Sequence, residues 1–247
     1  MAENPAIDLW QHHAPPFGYP DGVVRVPTPI PGTAFFPGGF GLWDAAASKP
    51  LPAFPTGGVM VLGHDFHSES GYHQSLSRGR ESESQPTWRN LLAVLSDAGI
   101  PPQRCFFTNF YMGLRVGTAT TGPFPGARNH EFRAYCRSFF LEQIRVQQPN
   151  LVLTLGIHAP HAVASLSPRL AGWAAAPGLK RLDAAGPVQR AVEFDGAPGI
   201  KPTVVALTHP SLRHAAVRHR TYAGLTGADA ELAMLQDARA AIDLAVA

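Results

Sequence analysis

The chain has 247 residues, 45% of them hydrophobic, and a formal net charge of +2 with histidine neutral. That is enough apolar material for the core of one sizeable α/β domain, and it excludes a disordered or fibrous chain. The near balance of charge excludes a global basic field, so any contact with a polyanion has to come from a local patch.

Residues 1 to about 57 are crowded with proline, glycine and aromatics, as in Pro15 to Pro20 and Phe35 to Trp43. No helical or strand period holds there. The aromatics argue against a free tail, so the segment reads as an irregular arm packed over the domain, with roofing of a site as a second role. Strand one is expected at Val59 to Leu62, a short apolar run ending in Gly63, His64, Asp65, Phe66 and His67. Ser68 to Gln85 is polar and reads as a loop. A helix follows near Thr87, with Trp88, Leu91, Leu92 and Leu95 in register, Pro86 just before it and Gly99 as its stop. Cys105 to Phe110 is the second strand, and Val116 to Asn129 is a Gly/Thr/Pro loop. Glu131 to Gln147 carries an apolar helical stripe through Phe132, Cys136, Phe139, Phe140 and Ile144. Pro149 ends it, Leu151 to Gly156 is the third strand, and His158 to Ala164 begins a further helix. Residues 167–202 carry no readable period. Thr203 to Leu207 is the fourth strand, and Ala228 to Val246 the last helix. Strands alternating with helices predict an α/β protein, a three-layer α/β/α arrangement with a four-stranded, mainly parallel central sheet, in one domain spanning residues 1–247.

Cys105 and Cys136 stand without a CxxC, which excludes a four-cysteine zinc or iron–sulfur site and a disulfide framework. Both read as reduced and buried, in a cytoplasmic protein. No signal peptide is expected from the first residues, and no apolar run has the length of a membrane span. The P-loop, the GxSxG elbow, the dinucleotide fingerprint, zincin spacing and the PCxxC of zinc deaminases are all missing.

The residues that could carry chemistry sit at strand ends, where open α/β sheets keep their sites. Asp65 could orient a water or hold negative charge against a developing cation; a turn cap explains the same residue equally well. Asn109 offers donor and acceptor to a base edge, and an Asx turn is the plainer reading. His209, fixed by Pro210, could donate to a developing oxyanion, or be a satisfied structural histidine. Arg213 to Arg220 concentrates positive charge, as a phosphate contact or a solvated face. His64, His67 and His73 match no standard metal-ligand spacing.

The order of these pieces resembles the uracil-DNA glycosylase superfamily. Val61 to Asp65 is similar to its first motif, a strand followed by Gly-x-Asp. Thr87 to Leu92 and then Phe107 to Asn109 are similar to its helix and its strand ending Thr-Asn. Leu151 to Ala159 resembles its Leu-Gly-x-x-Ala strand, and His209 to Ser211 its His-Pro-Ser motif. The resemblance covers about residues 57–220. It implies that Asp65 and His209 are catalytic, Asp65 positioning water and stabilising a cationic sugar, His209 bonding the leaving base. It implies that Gly63, His64, Phe66, Asn109 and Ser211 form the base pocket, with Phe66 stacking and Asn109 reading the base edge. Leu212, Arg213, His214 and Arg218 would meet DNA, with Leu212 or Arg213 entering the duplex. Two departures stand out. The four cysteines of the iron–sulfur branch are missing, and Phe66-His67 replaces the tyrosine-bearing sequence that excludes the thymine methyl.

The expectation is therefore a monofunctional DNA glycosylase, a monomer without metal or cofactor, which hydrolyses the N-glycosidic bond of uracil or a related deaminated base. A glycosylase-like DNA-binding protein without base release and a small-nucleoside hydrolase are the alternatives.

Overall fold

Four pentapeptides, VMVLG, CFFTN, LVLTL and TVVAL, are buried at every position. Strands covered on both faces read this way, as near-continuous apolar runs, because neither face can carry unpaired polar side chains. In the computed structural model, which describes residues 4–30 and 52–239, they form the centre of the molecule. In chain order the elements are α1 (Pro5–Gln11), β1 (Val23–Val24), β2 (Val59–Gly63), α2 (Glu69–Ser77), α3 (Pro86–Asp97), β3 (Cys105–Asn109), β4 (Leu114–Arg115), α4 (His130–Gln147), β5 (Leu151–Leu155) and α5 (His158–Ala164). There follow α6 (Ala171–Ala174), α7 (Leu179–Ala184), β6 (Val188–Gln189), β7 (Thr203–Leu207), α8 (Arg213–Ala216), β8 (Thr221–Tyr222), β9 (Leu225–Thr226) and α9 (Gly227–Arg239).

The central sheet has the order β3-β2-β5-β7-β6. Its first four strands are parallel, and β6 lies antiparallel on the edge, Val188 opposite Val205. The sheet is thus five-stranded rather than four-stranded. The extra strand is two half-buried residues long and has no alternation to read. Because side chains alternate across a strand, Met60, Leu62, Phe106 and Val152 face one core with Phe139, Phe140 and Ile144 of α4 and Val163 of α5. Val59, Val61, Phe107 and Leu153 face the other with Trp88, Leu91 and Leu95 of α3 and Met234, Leu235 and Ala238 of α9. Two helical layers on one sheet are the expected three-layer arrangement.

Helix ends follow local chemistry. Pro86 takes the first position of α3, where a missing N–H costs nothing. The Asn129 side chain caps α4 by accepting from the Phe132 N–H, and Gln148 closes that helix in the left-handed region. The described part of the last helix ends at Arg239; its expected continuation to Val246 lies outside the described residues.

Two expectations need correction. The stretch Ser68 to Gln85 is not all loop, since Ser68 caps α2 through Gly71 N–H. That helix buries only Tyr72, so it has no apolar stripe to give it away. The N-terminal arm is not wholly irregular either. It holds α1, capped by Asn4, and β1, which pairs antiparallel with β4 so that Val23 lies opposite Arg115. Leu9, Val23, Val26 and Ile30 enter the first core. The aromatic run Phe35 to Trp43 lies outside the described residues. Among those described, no helix is long and apolar enough to cross a membrane.

Candidate active site

Parallel register brings Gly63 of β2 beside Asn109 of β3, and the chain leaves both strands at the same sheet edge. His209 follows β7 two strands away. All three residues line one cavity of about 430 Å³, together with Asp65, Phe66 and Ser211. The expected base-pocket and catalytic residues are thus brought together.

Asp65 is the most heavily bonded of them. Its Oδ1 accepts from Arg115 Nε at 3.1 Å and from the His67 backbone N–H at 3.2 Å. Its Oδ2 accepts from Arg115 Nη2 at 2.9 Å and bonds His64 Nδ1 at 2.8 Å. A carboxylate offers about four lone-pair directions, and here all four are used. Burial pushes the Asp65 pKa up, but the hydrogen bonds from His64 and Arg115, with the adjacent charge, outweigh it and hold the carboxyl well below the usual range.

Arg115 escaped the sequence reading, because nothing in its neighbourhood marks it. Its guanidinium also donates to the carbonyls of Thr121, Gly122 and Pro123. Its backbone is held by β1 and by its N–H, which donates to the His67 carbonyl at 3.0 Å. That contact and the Asp65 bond hold His67 at φ +88°, a region a non-glycine residue seldom adopts.

Asn109 is 2% exposed, and its Nδ2 has no hydrogen-bond partner among the described residues. A buried donor left unpaired costs roughly 1–3 kcal/mol, and inside a cavity it is a donor awaiting an acceptor. His209 Nδ1 lies 2.8 Å from Ser211 Oγ. Burial lowers the His209 pKa, partly opposed by Asp65 and reinforced by His64 and His158, so the ring is neutral at pH 7. In the tautomer that accepts from Ser211, Nε2 carries the proton. Gly156, at φ +77°, lets the next strand pass close to this ring, since a Cβ there would stand 3.0 Å from His209 Cβ. The turn itself is tied to α3 by Asn90 Nδ2, which donates to the Pro210 carbonyl at 2.8 Å.

Phe66 is buried and meets Tyr72 edge-on, with ring centroids 6.3 Å apart. A second carboxyl, Glu81, also lines the cavity and accepts from Trp88 Nε1. Burial pushes it up to about 7, against the lowering effect of that bond. The polar Ser68 to Gln85 stretch gave no hint of it.

The expected DNA-contact residues divide. Leu212 is 58% exposed at the tip after His209 and Pro210, and His214 and Arg218 are exposed. Arg213 is ion-paired with Glu231. Arg220 is fully buried between Asp183 and Glu231, at 2.8 and 3.0 Å. Two of the three arginines of the apparent basic run are therefore neutralised from within the fold.

A mainly parallel α/β/α sheet with a carboxylate and a histidine lining one cavity at its carboxyl edge belongs to the class of open α/β proteins, which keep their ligand sites at that edge. The family model of the uracil DNA glycosylase superfamily matches residues 62–232, more than half of the chain, and the protein belongs to that superfamily. The superfamily comprises, in general, DNA glycosylases that act on damaged bases. A search of the curated proteins finds no match.

Proposed function

We propose that the protein is a monofunctional glycosylase that hydrolyses the N-glycosidic bond of uracil or a related deaminated base in DNA. The observation that carries this reading is the unpaired Asn109 amide, buried in the cavity that Asp65 and His209 share. The buried target bond requires the nucleotide to be flipped out or already single-stranded. As the bond breaks, its electron pair leaves with the base and the sugar gains oxocarbenium character. His209 Nε2–H stabilises the anionic base, and the Asp65 carboxylate faces the cationic sugar. Water then adds to the sugar and loses a proton.

Because every Asp65 lone pair is already bonded, its part is fixed negative charge rather than proton abstraction. Glu81, with a carboxyl near neutrality in the same cavity, is the group suited to take the proton. Phe66 supplies an apolar wall for the base. Leu212, exposed and apolar beside the pocket, suits a wedge better than Arg213, whose charge is already paired.

An oligonucleotide panel containing uracil, hypoxanthine, xanthine and mismatches tests the reading. Base release that Asp65→Asn and His209→Ala slow by roughly 100-fold or more, with the fold retained, is the expected result. No abasic product from any substrate at high enzyme and low salt would falsify it.

A further inference from the structure

His64 also lines a second cavity, of about 600 Å³. One wall is α4, which presents His130, Arg133 and Arg137; the other is α5, which presents His158 and His161. These are helix-neighbour spacings of three and four, so each set forms one face. Among the described residues, no carboxylate lines this cleft. Arg133 and Arg137 make no ion pair among the described residues. Like charges at i and i+4 repel, and an anion between the helices would relieve that repulsion. Tyr111 and Phe124 stack beneath it with ring centroids 5.0 Å apart, and at 5% and 1% exposure they close the floor without offering a free ring face. His64 divides this cleft from the Asp65 cavity and lies 4.9 Å, ring to ring, from His158.

We infer that the α4–α5 cleft seats the nucleotide next to the target on the same DNA strand, its phosphate between Arg133 and Arg137. A groove of cations that tracks the backbone is what single-stranded DNA requires, since its charge repeats at every nucleotide along the strand. The wall shared at His64 places the two cavities next to each other. In the Arg213 to Arg220 segment, Arg213 and Arg220 are bound to acidic side chains, which leaves Arg218 as its one arginine without an acidic partner among the described residues. The identification of the strand as the occupant rests on the glycosylase reading; a nucleotide phosphate is the chemistry that the cleft itself defines.

The test is fluorescence anisotropy of undamaged single-stranded oligonucleotides over a range of salt, comparing wild type with Arg133→Gln/Arg137→Gln. Binding should weaken by roughly 10-fold at low salt, and the salt slope should shrink by about 0.7, the contribution of the one single-strand phosphate that the variant no longer neutralises. An unchanged affinity and slope would overturn the inference. A pair of oligonucleotides with the target base at the 5′ or the 3′ end gives the second arm. The variant should lose affinity for only one of them, because the cleft lies to one side of the pocket; an equal loss with both would indicate a diffuse field and defeat the assignment. Free deoxynucleoside monophosphate is the third arm. Competition as effective as that of the oligonucleotide would make the cleft a site for free nucleotide and reject the strand. If wild type released no base at all while the double variant still lost affinity, the glycosylase reading would fail and the cleft would stand. If wild type cut and the variant bound and cut equally well, the cleft alone would fail.

Discussion

Replacing Arg115 by methionine removes the charge that compensates Asp65 while keeping much of the side chain's volume. The two side chains are 6% and 11% exposed, so the Asp65 carboxylate left behind cannot be rehydrated freely. Breaking such a pair from one side costs roughly 3–5 kcal/mol, and at ~2–4 °C per kcal/mol for a domain of this size the melting temperature should fall by roughly 10 °C. The pH dependence follows from the sign of the Asp65 shift. A carboxyl whose folded pKa is depressed contributes stability above its unfolded value and loses it as pH falls through the folded value. In the methionine variant burial dominates and the pKa rises, so the deficit should be largest near neutrality and shrink in acid as Asp65 protonates. Thermal melts of wild type, Arg115→Met, Asp65→Asn and the double variant close the cycle. The double variant should be less destabilised than the sum of the singles by ~2 kcal/mol or more. A loss for Arg115→Met within ~0.5 kcal/mol, or strictly additive singles, would refute the view that Asp65 is a latched charge.

Base release should rise with pH through about 7 as Glu81 loses its proton, and Glu81→Gln should abolish that limb; a profile identical to wild type would remove Glu81 from the chemistry. Gly156→Ala forces a side chain against His209 and strains a backbone at φ +77°, so single-turnover base release should slow at least ~10-fold while Arg115→Met cycles on this background keep their coupling. Leu212→Ala should weaken cleavage of duplex substrate more than of single-stranded substrate, read as the ratio of the two rates. Arg220→Met breaks a fully buried pair with Asp183 and Glu231 and should cost roughly 3–5 kcal/mol in a denaturant melt.

The four parallel strands were legible because each is an unbroken apolar run bounded by glycine, proline or a polar turn, and α3 and α4 because their stripes hold a helical period. Elements without such a signal stayed hidden. The strand β6 is too short to alternate, and α2 buries a single side chain. The pocket was legible where its residues follow strand ends, as Asp65, Asn109 and His209 do, since parallel strands deliver their carboxyl ends to one edge. Arg115, on β4, bonds Asp65 from 50 residues further along the chain, and Glu81, past the end of α2, lines the cavity from 16 residues further along. Their roles arise from long-range packing, which leaves no local periodicity. The basic run Arg213 to Arg220 misled in the opposite direction. Its charge is visible in the sequence, whereas the acids that neutralise it lie on α7 and α9.

Arg115 also changes how the N-terminal arm relates to the chemistry. The pairing of Val23 with Arg115 in the β1–β4 ladder fixes the backbone from which the guanidinium reaches Asp65, and Tyr72 Oη, beside Phe66, donates to the Thr28 carbonyl at 2.8 Å. The arm is therefore joined to two walls of the cavity, although none of the described residues before Gly63 lines it. A charge held in place by a distant strand needs no reorganisation when the sugar becomes cationic, which is the condition under which a buried carboxylate stabilises a transition state most. The cost is that Asp65 has no lone pair left for water. On the proposed glycosylase reading, that saturation separates the roles: fixed charge at Asp65, proton transfer at Glu81, and hydrogen-bond donation at His209.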